Sequence, residues 1–142
     1  MSDLTELYQE VLLDHSKRPH HYHALTEPTQ VARGHNPLCG DDITIYLKTE
    51  GEALAEISFT GQACAICTAS ASLMTHQLQG RDRATADALF EQIHQLLTEE
   101  TTVDPDSLGE LGALGGVHRF PMRVKCATLP WHTLRAALRG EQ

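Results

Sequence analysis

Within a few residues near the middle of the chain, a strand pattern gives way to a run of small side chains, and this stretch constrains the fold most. Ala55, Ile57 and Phe59 alternate with polar or small neighbours up to Gly61, and Cys64-Ala65-Ile66-Cys67-Thr68-Ala69-Ser70-Ala71-Ser72 follows soon after. Period-two alternation is the signature of a half-buried strand, and the run beyond Gly61 has helical character. Cys64 is therefore expected where a strand turns into a helix. Backbone N–H groups at a helix start lack partners, and the dipole there favours an anionic side chain. Cys39 and Cys126 lie in separate motifs on either side. The expectation is that these distant segments converge on Cys64 to hold a metal.

The rest of the chain arranges itself around that junction. Leu4, Leu7, Tyr8, Val11 and Leu12 fall on one helical face, which predicts an amphipathic helix over residues 3–15, ended by Pro19. His20, His21 and His23 then crowd between Pro19 and Pro28. Imidazoles that close could bind metal, but affinity depends on preset geometry, so without a fixed scaffold they read as solvated loop residues. A short strand is expected over residues 30–33. The sequence His35-Asn36-Pro37-Leu38-Cys39-Gly40-Asp41-Asp42 reads as a tight loop, and Ile43, Ile45 and Leu47 alternate in a strand beyond it. Glu50-Gly51 supplies a turn, and residues 54–60 return as the hairpin partner.

A helix is predicted over residues 64–79, stopped by Gly80, its small residues allowing close approach to a sheet. Leu89, Phe90, Ile93, Leu96 and Leu97 form the strongest helical stripe, with Thr85 as candidate N-cap. Residues 98–106, with Asp104-Pro105, read as a surface loop. Leu108, Leu111 and Leu114 suggest a short helix ending at Gly115-Gly116. The last helix runs to about Arg139. Because proline is tolerated only in a first turn, Pro130 predicts that this helix begins, or is sharply kinked, close to Cys126.

Composition removes several function classes. A length of 142 residues fits one domain with a real core. No apolar run approaches the roughly 18 residues of a membrane helix, and the polar stretch Met1 to Val11 does not resemble a secretory signal. The expectation is a cytoplasmic protein without a membrane role. A formal charge of −8 lacks the basic footprint that nucleic-acid binding needs. Without a secretory signal, the four cysteines point away from a disulfide scaffold, toward buried hydrophobes, ligands or nucleophiles.

The possible ligands are of one chemical kind. Cys39 and Asp41 share a loop, while Cys64 and Cys126 are each expected near a helix start. Three thiolates and a carboxylate suit zinc in a tetrahedral site, or iron in a cluster. Cys64-x-x-Cys67 alone is half a zinc knuckle, and it is also the layout of a thiol redox pair, although Ala65-Ile66 lacks the usual aromatic or proline context. Residue types and spacing leave these possibilities open.

The segments Asn36-Pro37-Leu38-Cys39-Gly40-Asp41, Gly61-Gln62-Ala63-Cys64 with Ala69-Ser70-Ala71-Ser72, and Arg123-Val124-Lys125-Cys126-Ala127 resemble the three cysteine motifs of U-type iron–sulfur assembly proteins. The N-terminal Tyr8, Asp14-His15 and Arg18-Pro19 fit the same pattern, so the resemblance spans nearly the whole chain. Two features resemble the SufU branch rather than the IscU branch. One is an insertion around residues 98–117; the other is Lys125, where IscU-type scaffolds place a histidine.

The resemblance implies an α+β fold, with a small three-stranded antiparallel sheet, helices packed on one face, and a zinc site at one end. It further implies zinc held by Cys39, Asp41, Cys64 and Cys126, and Cys39 as acceptor of persulfide sulfur from a SufS-type cysteine desulfurase. Sulfur would then pass to downstream iron–sulfur assembly proteins, which would make the chain a zinc-dependent sulfurtransferase. The alternative is a scaffold on which an iron–sulfur cluster is built and handed on. Arg123 and Lys125 are solvated charges or cations that stabilise the thiolate site. Cys67 departs from the family pattern; it is either a small buried residue or, three residues after Cys64, a ligand in place of Asp41.

Overall fold

A computed structural model describes residues 3–37, 40–98, 111–114 and 121–140. Leu38, Cys39, the loop beyond residue 98, Leu108 and the Gly115-Gly116 stop lie outside the described residues. So do the side chains of Leu4, Leu7 and Tyr8.

The elements follow in the order α1 (Asp3–Lys17), β1 (Gln30–Asn36), β2 (Asp41–Glu50), β3 (Ala53–Gln62), α2 (Ala65–Leu78), α3 (Arg83–Thr98) and α4 (Pro121–Leu138). Residues 111–114 form a single 3-10 turn. The strands make an antiparallel sheet in the order β1-β2-β3. This is the α+β architecture expected, with three differences in extent.

First, β1 runs on to Asn36, and β2 starts at Asp41, so much of the expected loop is strand. The register pairs Asn36 with Asp41, and the Gly40 N–H donates to the Asn36 carbonyl at 2.8 Å. Second, Asp82 rather than Thr85 caps α3. Its Oδ1 accepts the Thr85 N–H at 2.8 Å, the bond an N-cap makes to the third helical residue. Third, α4 begins at Pro121 and runs unbroken through Pro130, so Cys126 sits in its second turn and not at its start. Proline at the first helical position loses nothing, which favours the earlier start. Pro130 lacks the N–H that would reach back to the Cys126 carbonyl, and burial in the core holds it in place.

Ile43, Ile45 and Leu47 of β2 are buried together with Ile57 and Phe59 of β3. In register these pair as Ile45 with Phe59 and Leu47 with Ile57. Each such side chain contributes about 1.5–3 kcal/mol by leaving water. Helix α4 covers this face, packing on β1 and β2 and carrying Trp131 and Leu134 into the core. Gly34 on β1 marks the closest approach, since a Cβ there would stand 2.0 Å from Thr133 Oγ1 of α4.

Helix α2 contacts the end of β3 but packs mainly against α1 and α4. Its small residues thus serve helix–helix approach more than the helix–sheet approach expected. Ser70 is one reason: its hydroxyl donates to the Ala127 carbonyl of α4 at 2.6 Å and accepts the Trp131 indole N–H at 3.1 Å. Among the described residues no helix is long and apolar enough to cross a membrane.

Candidate metal centre

Three features of the fold bring Asp41, Cys64 and Cys126 together at one end of the sheet. Strand parity places Asp41. It is in phase with Ile43, Ile45 and Leu47, so its carboxylate faces the helix-covered side and is only 1% exposed. Asp42, one residue on, faces the other way and pairs with Arg33, whose guanidinium hydrogen bonds hold the Asp42 carboxyl below its ordinary range.

Helix start places Cys64. It is the N-cap of α2, with extended backbone at φ −66° and ψ 166°, and its Sγ accepts the Cys67 N–H at 3.4 Å. The approach to that cap is fixed by Gly61, whose φ of +139° suits glycine and where a Cβ would lie 2.2 Å from the Asp42 carbonyl oxygen. Tyr22 clamps the same point, its hydroxyl donating to the Gly61 carbonyl at 2.6 Å. Nothing in the sequence around Tyr22 signals this clamp, because its partner lies 39 residues away.

Packing of α4 places Cys126, which is buried. One ligand atom from each of Asp41, Cys64 and Cys126 lies within 4.8 Å of the others. The Asp41 carboxylate is doubly engaged: Oδ1 accepts the Cys64 N–H at 2.7 Å, and Oδ2 stands 3.5 Å from Cys64 Sγ. A sulfur at about 2.3 Å and an oxygen at about 2.1 Å from one tetrahedral zinc would be about 3.6 Å apart. The observed separation fits. The bond to Oδ1 also aims Oδ2 at the sulfur, the kind of outer contact that orients a metal ligand. Chemistry and spacing of this set therefore suit a borderline-soft ion such as zinc.

Cys67 is not brought into this group. It is fully buried and belongs to the hydrophobic core. Cys39 lies outside the described residues, in the connection that ends at Asp41. Arg123 and Lys125 are exposed on α4 in the turn preceding Cys126.

A small α+β unit with thiol and carboxylate side chains gathered at the end of its sheet defines a class of protein with the donors to hold a metal or cluster there. Within that class, residues 7–127 match the NifU-like N terminal domain, and the chain belongs to this family. It is 37% identical over 139 residues to the iron-sulfur cluster assembly scaffold protein IscU of Streptococcus pyogenes serotype M1, covering 98% of this chain and 87% of that one. It is 36% identical over 141 residues to the zinc-dependent sulfurtransferase SufU of Bacillus subtilis, covering 99% and 95%. Among solved structures, it is similar to a putative iron-sulfur cluster assembly scaffold protein for the SUF system from Fervidobacterium islandicum. That match has a TM-score of 0.85 at 32% identity, covering 94% of this chain and 97% of that one.

Proposed function

We propose that the chain is an iron–sulfur cluster assembly protein that accepts sulfur from a cysteine desulfurase in a zinc-dependent manner, with Cys39 as the acceptor. The observation that supports it most is the convergence of Asp41, Cys64 and Cys126 from three separate segments. Cys39 is two residues from Asp41, so covalent geometry alone keeps the two Cα atoms within about 7 Å. A Cys39 thiolate would complete four ligands. Zinc, when bound, keeps its cysteine ligands deprotonated at neutral pH.

The roles then divide by position. Cys64 and Cys126 are anchored on helices, and Asp41 is held in a strand by the Cys64 amide. Cys39 stands in the sequence between β1 and β2, on neither helix, and loops present reactive groups to a partner better than packed helices do. The Cys39 thiolate attacks the terminal sulfur of the desulfurase persulfide. The S–S bond of that persulfide breaks, the desulfurase cysteine leaves as a thiolate, and Cys39 carries the new S–S bond, with no net oxidation or reduction. Arg123 and Lys125, exposed on α4 near Cys126, supply positive charge where anionic sulfur moves. A SufS-type desulfurase as donor, and downstream assembly proteins in the cytoplasm as recipients, belong to the same reading.

The scaffold reading uses the same ligands for an iron–sulfur cluster and is favoured by the name of the Streptococcus pyogenes relative. Lys125, in place of the histidine of IscU-type scaffolds, favours sulfur transfer. The deciding experiment mixes the protein with a SufS-type desulfurase and cysteine, then locates added sulfur by peptide mass spectrometry. Persulfide on Cys39, lost in a folded Cys39→Ser variant, is expected. An unmodified Cys39 with persulfide on Cys67 or Cys126 would overturn the mechanism. Brown, iron-bearing protein as isolated would favour the scaffold.

A further inference from the structure

Of the three histidines that read as solvated loop residues, His20 belongs to a built cluster at the other end of α2. His20 follows the end of α1, and its main chain is gripped by α2 on two sides. Its N–H donates to Ser72 Oγ at 2.7 Å, and its carbonyl accepts from Thr75 Oγ1 at 3.5 Å. Ser72 and Thr75 are both fully buried. The His15 ring stacks on His20 with centroids 4.6 Å apart, and is itself held through Nδ1 by Ser72 Oγ at 2.6 Å. His76, the residue after Thr75 on α2, meets His20 edge-on with centroids 4.8 Å apart. Their Nδ1 atoms stand 3.3 Å from each other.

That separation has chemical meaning. Two imidazole nitrogens bound to one tetrahedral ion at about 2.0–2.1 Å would be about 3.3–3.4 Å apart. Both rings border solvent, so an ion can enter and water can fill its other positions. The scaffold that such a pair needs is supplied by Ser72, Thr75 and the stacked His15, which fix His20 before any ion arrives. We propose that His20 and His76 form a second, imidazole-only site for a borderline divalent cation such as zinc, ligated through their two Nδ1 atoms, with His15 as a positioning residue. Cys64 and His76 are twelve positions apart along the helix axis, about 18 Å, so this site is separate from the thiolate centre.

The test is a difference measurement that does not depend on the thiolate centre being a zinc site. Parent, His20→Ala and His76→Ala proteins are equilibrated with excess zinc, and bound metal is counted after dialysis against a fixed free-zinc concentration. The parent is expected to hold one zinc more than either variant. In long-range 1H–15N spectra of the imidazoles, that zinc is expected to move the Nδ1 signals of His20 and His76 while those of His94 and His132 stay in place. His76 is exposed, so its alanine variant should fold as the parent does, checked by circular dichroism. Equal zinc in parent and His76→Ala, or unmoved Nδ1 signals, would show a hydrogen-bonded histidine pair only and overturn the proposal.

Discussion

Asp41 and Asp42 are chemically identical neighbours, yet one is buried against Cys64 and the other pairs with Arg33 at the surface. Strand parity alone separates them. Asp41 carries two duties, since one oxygen accepts the Cys64 amide while the other faces the sulfur. Asp41→Asn keeps an oxygen for the amide but loses the charge, whereas Asp41→Ala loses both. Asp41→Asn is therefore expected to melt near the parent in the metal-free state while releasing zinc more readily to a chelator. Asp41→Ala should lose a further ~0.5–1.5 kcal/mol of metal-free stability, the range for a neutral hydrogen bond. Cys67 provides the contrast: buried in the core, Cys67→Ser should destabilise the fold and still retain zinc. Zinc loss in Cys67→Ser alongside an Asp41→Ala that behaves as the parent would mean four cysteines bind the metal.

At the scale of elements, the centre depends on how α2 and α4 are held side by side. Ser70 links them next to the ligand, donating to the Ala127 carbonyl and accepting from Trp131. Ser70→Ala leaves the buried Trp131 N–H without that acceptor, at a cost of about 1–3 kcal/mol. A lower urea midpoint with an unchanged slope is the expected result. Because Cys126 precedes Ala127, its thiol should also react faster with a thiol reagent in the metal-free variant. A Ser70→Ala protein with parent stability and parent Cys126 reactivity would show that helix packing, not this link, sets the position of α4.

For the whole molecule, a metal held by Asp41, Cys64 and Cys126 is a cross-link between the sheet and two helices. Metal binding to the folded state alone adds directly to folding free energy. At a free zinc concentration a thousandfold above the dissociation constant the gain is about 4 kcal/mol, which for a chain of this size corresponds to roughly 10 °C in melting temperature. Removing zinc with a chelator should lower the parent's melting temperature by about that amount. Cys126→Ser should melt near the chelated parent and ignore the chelator. A parent whose melting does not respond to zinc or chelator would argue against a structural cross-link.

Much of the architecture was legible along the chain because its signals are local. Alternation of Ile43, Ile45 and Leu47 and the junction at Gly61 and Cys64 each rest on near neighbours and appear in the structure where expected, and the hairpin turn falls one residue on from Glu50-Gly51, at Gly51 and Glu52. The candidate ligands could be nominated by residue type and motif for the same reason. What the sequence could not decide was whether distant side chains meet. The 4.8 Å grouping of Asp41, Cys64 and Cys126 depends on α4 lying over the sheet, and that depends on long-range contacts such as Gly34 against Thr133 and Ser70 with Trp131. The sequence points to a later start for α4 than Pro121 because a rule for isolated helices weighs Pro130 heavily, whereas a packed core holds proline within a helix. The placement of His20 is hidden from the sequence for the opposite reason. Its neighbours in sequence are polar loop residues, but its partners in space, Ser72, Thr75 and His76, stand on a helix more than fifty residues away.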